Sequence, residues 1–354
     1  MKEEKAIFFS LTKETYYAYE EIEGKIFIKN SYQIKSNNIQ LNFKGREIIQ
    51  SYKPIKKNEK IIPPLNNILI NQNINISLSN KINKNEGYII PFKFKLINKN
   101  IPGSFFFFNN ENLILAEIIY IITIGIDNLK YSNIIIIKED EKHFNVFKEL
   151  KTNKLFRNCC KSNKVEMNVS YKKDFINIGE KFKILVSINN TKNYNDGEQI
   201  YVELNKKVRL YPNNDPIEFN TPITSLLGKN KIKQNSNYTE EYEINFKSEQ
   251  KIPSLKYLSS SEYSKYLKQN DLLLTQINQS IVSVNIVCEY SLIIWTCFPN
   301  FDFDDICIYF PLIVYPSSNL YLTNIKTLDT ISEDDFDDIQ INTNEEETHI
   351  PNFL

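Results

Sequence analysis

Apolar and polar residues alternate with a period of two along most of this chain, and sustained helical periodicity is scarce. In Phe92-Lys93-Phe94-Lys95-Leu96 the apolar side chains fall on one face and the lysines on the other, the pattern of a half-buried strand. Turn signals separate many such segments, and only short stretches such as Ser259–Lys268 have helical spacing. The pattern predicts an all-β protein whose strands pack as sandwiches. One strand, starting near Ile89, stops at Ile101-Pro102-Gly103-Ser104 and is followed by four phenylalanines, Phe105 to Phe108. The expectation is that two rings pack inward and two cover a sandwich end. The alternative is an exposed aromatic loop that dips into a membrane surface, since monomers avoid such apolar patches.

The strands also repeat. Tyr19–Asn30 (YEEIEGKIFIKN) superposes on Gly179–Asn190 (GEKFKILVSINN) with a shift of 160, aligning Glu20 with Glu180, Ile22 with Phe182 and Ile26 with Val186. Ile39–Phe43 then matches Ile200–Leu204, and Ile118–Ile124 matches Cys288–Ile294 with Tyr120 on Tyr290. Three matches in the same order predict two related, tandem immunoglobulin-like β-sandwiches. The expected domains are 1–148 and 156–320, followed by an acidic, disordered tail over 321–354. The Lys- and Asn-rich segments 51–86 and 227–240 read as long loops.

Composition sharpens this picture in two places. All 43 Lys and Arg residues lie at or before Lys326, whereas nine of the 43 acids follow it. A body near +9 thus opposes a tail near −9. The start MKEEKAIFFSLTKET lacks the apolar core of a signal peptide, and the apolar run near Leu113–Ile126 is too short to span a bilayer. Five unevenly spaced cysteines, 159, 160, 288, 297 and 307, read as reduced structural thiols. A cytosolic protein is expected.

Enzyme chemistry finds little to stand on. His143 and His349 are the only histidines, one in the expected linker and one in the tail. No phosphate-binding Gly-x-x-x-x-Gly-Lys loop is present. Phe301–Ile306 (FDFDDI) reads as a solvated turn, with a cation loop as the sharper alternative. No catalytic residue, metal or cofactor is predicted. The scattered lysines match no nucleic-acid recognition motif. On the basic body, Lys206, Lys207 and Arg209, with Lys93 and Lys95, are the candidate anionic-ligand residues.

The chain resembles the arrestin family, and within it the arrestin-domain-containing proteins, over about residues 5–318. The resemblance rests on YEEIEGKIFIKN and IQLNFKGRE, on GYIIPFKFKL with IPGSF (Gly87–Phe105), and on IIYIITI. In the second half it rests on VEMNVSYKKDFINIGEKFKILVSINN, IVSVNIVCEYSLIIW and IYFPLIVYP. Tyr19-Glu20 replaces the family's Pro-Gly-Glu, and Pro63-Pro64-Leu65-Asn66 lacks the Tyr of a ligase-recruiting Pro-Pro-x-Tyr motif. The resemblance implies an arrestin fold and a non-catalytic adaptor for the cytoplasmic tails of membrane proteins. It would act at the plasma membrane or endosomes, with phosphoinositides and ubiquitin-ligase or coat components as further partners. A retromer-like scaffold subunit and a C2-like lipid- or cation-binding sandwich are the alternatives. By analogy with tail-inhibited members, Asp334, Asp335, Phe336, Asp337 and Asp338 form a candidate autoinhibitory segment, and Ser332 is a candidate phosphosite.

Overall fold

A computed structural model describes residues 6–13, 15–29, 34–53, 63–78, 87–98, 100–109, 111–139, 150–157, 164–171, 175–193, 195–212, 215–246, 278–299, 306–316, 337–338 and 341–344. Among them the protein is all-β, and the chain divides into two compact units. The first holds β1 (Ala6–Leu11), β2 (Thr15–Tyr17), β3 (Glu21–Lys29), β4 (Asn38–Ser51) and β5 (Leu65–Leu78). It continues with β6 (Gly87–Lys95), β7 (Phe105–Asn109), β8 (Ile114–Ile126) and β9 (Leu129–Lys138). The second holds β10 (Leu150–Arg157), β11 (Lys164–Tyr171), β12 (Phe175–Asn177), β13 (Lys181–Lys192) and β14 (Tyr201–Leu210). It continues with β15 (Ile217–Leu227), β16 (Asn237–Asn245), β17 (Ile281–Val282), β18 (Ile286–Trp295) and β19 (Cys307–Tyr315). Two short strands of the acidic segment, β20 (Asp337–Asp338) and β21 (Ile341–Asn344), return to the first unit.

In the first unit a sheet ordered β1-β3-β6-β20 faces a larger one ordered β2-β9-β8-β4-β5-β21, with β7 on β8. Alternation explains the core. Along β4, Ile39, Leu41, Phe43 and Ile49 point inward while Asn38, Gln40 and Asn42 face out. Rings link the two sheets: Phe43 lies 6.1 Å from Phe94, and Phe9 meets Tyr131 edge-on at 5.5 Å. The second unit has sheets ordered β10-β11-β13-β16 and β12-β19-β18-β14-β15, with β17 on β18.

The two units repeat one plan at the level of single pairs. Phe9 pairs with Ile26 on β1–β3, and Val169 with Val186 on β11–β13, both at the 160-residue shift. Tyr16 runs parallel to Ile137, and Ile176 to Val314. Glu20 and Glu180 close the same turn, each carboxylate accepting from the backbone N–H three residues before it, of Tyr17 and Asn177. Tyr120 sits opposite Gly45 on β4, and Tyr290 opposite Lys206 on β14.

All four phenylalanines of 105–108 are buried, in β7 against β8. No exposed membrane loop survives, because β7 is covered on both faces. The break before it is a hydrogen-bonded anchor. Tyr120 Oη donates to Pro102 O at 2.6 Å, Gly103 N donates to Glu139 Oε2 at 2.8 Å, and Ser104 Oγ accepts from Ile137 N at 2.9 Å. The second unit builds the same anchor: Tyr290 Oη donates to Asn278 O at 2.6 Å, and Ser280 Oγ accepts from Val314 N at 2.9 Å. Removing either hydroxyl leaves a buried carbonyl short of its donor, so Tyr120→Phe and Tyr290→Phe should each cost about 1–3 kcal/mol. Urea denaturation checks this, and a near-zero cost in either variant would separate the two anchors.

Candidate functional site

Edge strands carry backbone donors and acceptors with no partner in their own sheet, which makes them the natural docking elements of an all-β protein. The matched pairs of the two units allow corresponding edges to be compared. In the second unit the outer edge of β11 is covered by β10, antiparallel, with Thr152 opposite Val169 and Lys154 opposite Met167. In the first unit β1 holds the place of β11, and among the described residues no strand pairs with its outer edge. The acidic segment lies elsewhere. Asp337 and Asp338 run parallel to Tyr88 and Ile89 on β6, and Ile341–Asn344 runs antiparallel to Leu78–Asn75 on β5. These six residues are extended and paired where the sequence pattern suggests a disordered tail. Ser332, Asp334, Asp335 and Phe336 lie outside the described residues, as do Cys159, Cys160, His143, His349 and the aspartates of FDFDDI.

The candidate cations fall in both units, and the exposed ones are already paired with carboxylates. Lys93 and Lys95, on the outward face of β6, reach across to β3. Lys93 Nζ is 2.5 Å from Glu21 and 2.9 Å from Glu23, and Lys95 is 3.3 Å from Glu21. The Glu21 hydrogen bond, aided by Glu23, pushes the Lys93 pKa up, and Lys93 in turn draws that of Glu21 down. On β14, Lys207 pairs with Glu218 at 3.0 Å and Arg209 with Glu289 at 2.5 Å. An anionic ligand at these places competes with carboxylates already seated there.

Lys206 leaves the surface cluster altogether. Strand alternation turns it inward with Val202, Leu204, Val208 and Leu210, and it is only 5% exposed. Its Nζ donates to Asn278 Oδ1 at 3.1 Å, within a buried polar group that includes Ser280, Cys288 and Tyr290. Burial drives the pKa of Lys206 below the usual lysine value and that of Cys288 up to about 11. The corresponding place in the first unit is Gly45, where an added Cβ would collide with the Tyr120 ring. Counting charges in the sequence put Lys206 on the surface; reading its inward parity with Leu204 and Val208 would have buried it.

A polar hollow of about 830 Å³ opens on the outward face of the first unit's larger sheet, over Gly125. Gln40, Asn42, Asn73, Asn75 and Thr123 line it. Asn42 Nδ2 donates to Asn71 Oδ1 at 2.8 Å and to Asn73 Oδ1 at 2.7 Å, so the carboxamides form a ladder across β4 and β5. Its rim is the β8–β9 turn, where Asp127 takes a positive φ of 48° and accepts from Lys35 N at 2.8 Å. The sequence pattern reads 51–86 as a long loop, but Leu65–Leu78 is the strand β5, because its asparagines alternate with buried Ile70, Ile74 and Ile76. Among the described residues no group of three or more His, Cys, Asp or Glu side chains converges to hold a metal ion. Among the described residues no helix is long and apolar enough to cross a membrane.

No protein-family model matches the chain, and no curated protein is significantly similar to it.

Proposed function

We propose that this protein is a non-catalytic, arrestin-like adaptor that takes extended segments of partner proteins, the cytoplasmic tails of membrane proteins above all, by strand addition to β1. The observation that carries the reading is the difference between equivalent edges: β11 is completed by β10, whereas β1 has no such neighbour among the described residues. An added strand on β1 would meet the backbone through hydrogen bonds and set its alternate side chains against the two faces of the sheet. The resemblance of the repeated strands to the arrestin family supports the same reading. A role at the cytoplasmic face of the plasma membrane or endosomes, with sorting or ubiquitination machinery as the next partner, belongs to this proposal.

A photo-crosslinking residue at Ser10, on β1, tests it with a fluorescent, acidic, phosphorylated tail peptide as the probe. The expected result is capture of the peptide at Ser10 and little at the equivalent Ser170, which β10 covers. Equal capture at both, or capture only elsewhere, would sink the β1 assignment. Because Lys93, Lys95, Lys207 and Arg209 all carry carboxylate partners, their replacement by Ala should change peptide affinity less than twofold at physiological salt, where exposed charges are screened. Fluorescence polarisation reads that difference.

A further inference from the structure

The fifth strand has a composition unlike that of a protected edge. From Ile70 to Leu78 it reads Ile-Asn-Gln-Asn-Ile-Asn-Ile-Ser-Leu, with no charge, no proline and no glycine. Edge strands are normally guarded by lysine, proline or a bulge. The register of β5 on β4 shifts once, between Gly45 and Arg46, so the irregularity lies at Leu69 and protects only the Leu65–Leu69 half. Beyond it, Ile70 to Ser77 pair with Gly45 to Asn38 without interruption. Ile70, Gln72, Ile74, Ile76 and Leu78 are buried inward, while Asn71 and Asn73 are exposed on the other face.

We propose that the Ile70–Leu78 edge of β5 is a self-association surface, on which two copies of this chain pair antiparallel when β21 leaves it. The segment is self-complementary about Ile74. A two-fold axis there sets Asn73 against Asn75 of the second copy and Asn71 against its Ser77. On the inward face it sets Gln72 against Ile76 and Ile70 against Leu78. Inward residues meet inward residues throughout, whereas a one-residue slip would turn one copy's apolar set to solvent. The carboxamides are already arranged for it, since Asn42 bonds Asn71 and Asn73 in a ladder that a second copy would extend.

The edge accepts an antiparallel strand in the structure itself, because Ile341–Asn344 occupies Leu78–Asn75. This short strand leaves Ile70–Ile74 uncovered among the described residues, yet it blocks the two-fold arrangement, which needs the whole segment. Its flanks explain why pairing stops there. Asp337 and Asp338 precede it, and Glu345, Glu346 and Glu347 follow it directly. A second copy adding to β21 would bring like charges together. The acidic segment thus brings the charge that β5 lacks. This edge lies in the sheet opposite β1, so its pairing is independent of the strand-addition site there.

The test uses the full-length chain. N342P/T343P removes two adjacent backbone donors from β21, one of which must serve the ladder whatever its phase. Sedimentation velocity is expected to give a monomer for the unaltered protein and a concentration-dependent doubling of mass for N342P/T343P. Adding N73K/N75K sets lysines opposite each other across the two-fold axis and should return the mass to that of the monomer. Far-ultraviolet circular dichroism confirms that all three proteins keep their strands. Hydrogen exchange on residues 65–78 gives a second readout, with protection at Ile70–Leu78 in the dimer. The proposal is overturned if N342P/T343P stays monomeric, or if its dimer survives N73K/N75K or leaves Ile70–Ile74 unprotected.

Discussion

Ile26→Asp should unfold the first unit, lowering stability by about 4 kcal/mol or more. Ile26 has no exposed surface and sits at the centre of its sheet, paired with Phe9 on one side and Ile90 on the other. A carboxylate there has no cation beside it on the inward face of β3, because its neighbours on that face are Gly24 and Ile28. The group must either be buried charged or take up a proton, and both cost far more than lost packing. Ile26→Val removes one methylene and should cost only about 0.5–1.5 kcal/mol, which separates the charge from the cavity. Val186→Asp is the equivalent change in the second unit, since Val186 pairs with Val169 as Ile26 does with Phe9. Thermal denaturation followed by circular dichroism reads all three. An Ile26→Asp protein as stable as Ile26→Val would mean that the sheet opens to water at this point.

Lys206→Met should raise the stability of the second unit at neutral pH, where removing the cost of an enclosed amine outweighs the loss of one donor to Asn278, and the gain should depend on pH. Lys206 is buried, and burial drives its pKa below the usual 10.5. In the unfolded chain the amine regains its ordinary pKa, so between the two values the unfolded state binds more protons than the folded one. Stability therefore rises with pH through that window. The cost of Lys206 is fully present below its folded pKa and is gone above about 10.5. The advantage of Lys206→Met should accordingly shrink as pH rises towards that value. Cys288, raised to about 11 by burial, and Tyr290, raised for the same reason, act in the opposite sense at high pH. Because Lys206 itself draws the Cys288 pKa down against burial, the two proteins are compared below the ordinary thiol pKa of 9.0, where the thiol stays protonated in both. Urea titrations of the two proteins at several pH values provide the check. A pH-independent difference would mean that Lys206 keeps its charge state on unfolding.

The opposite changes at one structural position are informative. Gly45 and Lys206 occupy equivalent places beneath Tyr120 and Tyr290, yet one is the smallest side chain and the other among the longest. Gly45 is small because the Tyr120 ring lies directly over it, and Lys206 is tolerated because Asn278 accepts from its amine. The strand period placed both on the inward face. What stands above each of them depends on segments more than 70 residues away in sequence, and no local pattern reports it.

The same division runs through the whole protein. Strand character and the inward and outward faces of segments such as Gly87–Lys95 were legible in the sequence, because alternation is a local property of the chain, whereas Leu65–Leu78 reads there as part of a loop and is strand β5. Burial of Phe105–Phe108, the carboxylate partners of Lys93 and Arg209, and the inward turn of Lys206 into a polar group were decided in three dimensions. Each depends on which strands become neighbours. The edges depend on it most of all. Nothing in the residues of β1, β5 or β11 says which one ends a sheet, since a strand is an edge only through the absence of a neighbour. That is a property of the assembled sheets, and only the tertiary structure carries it.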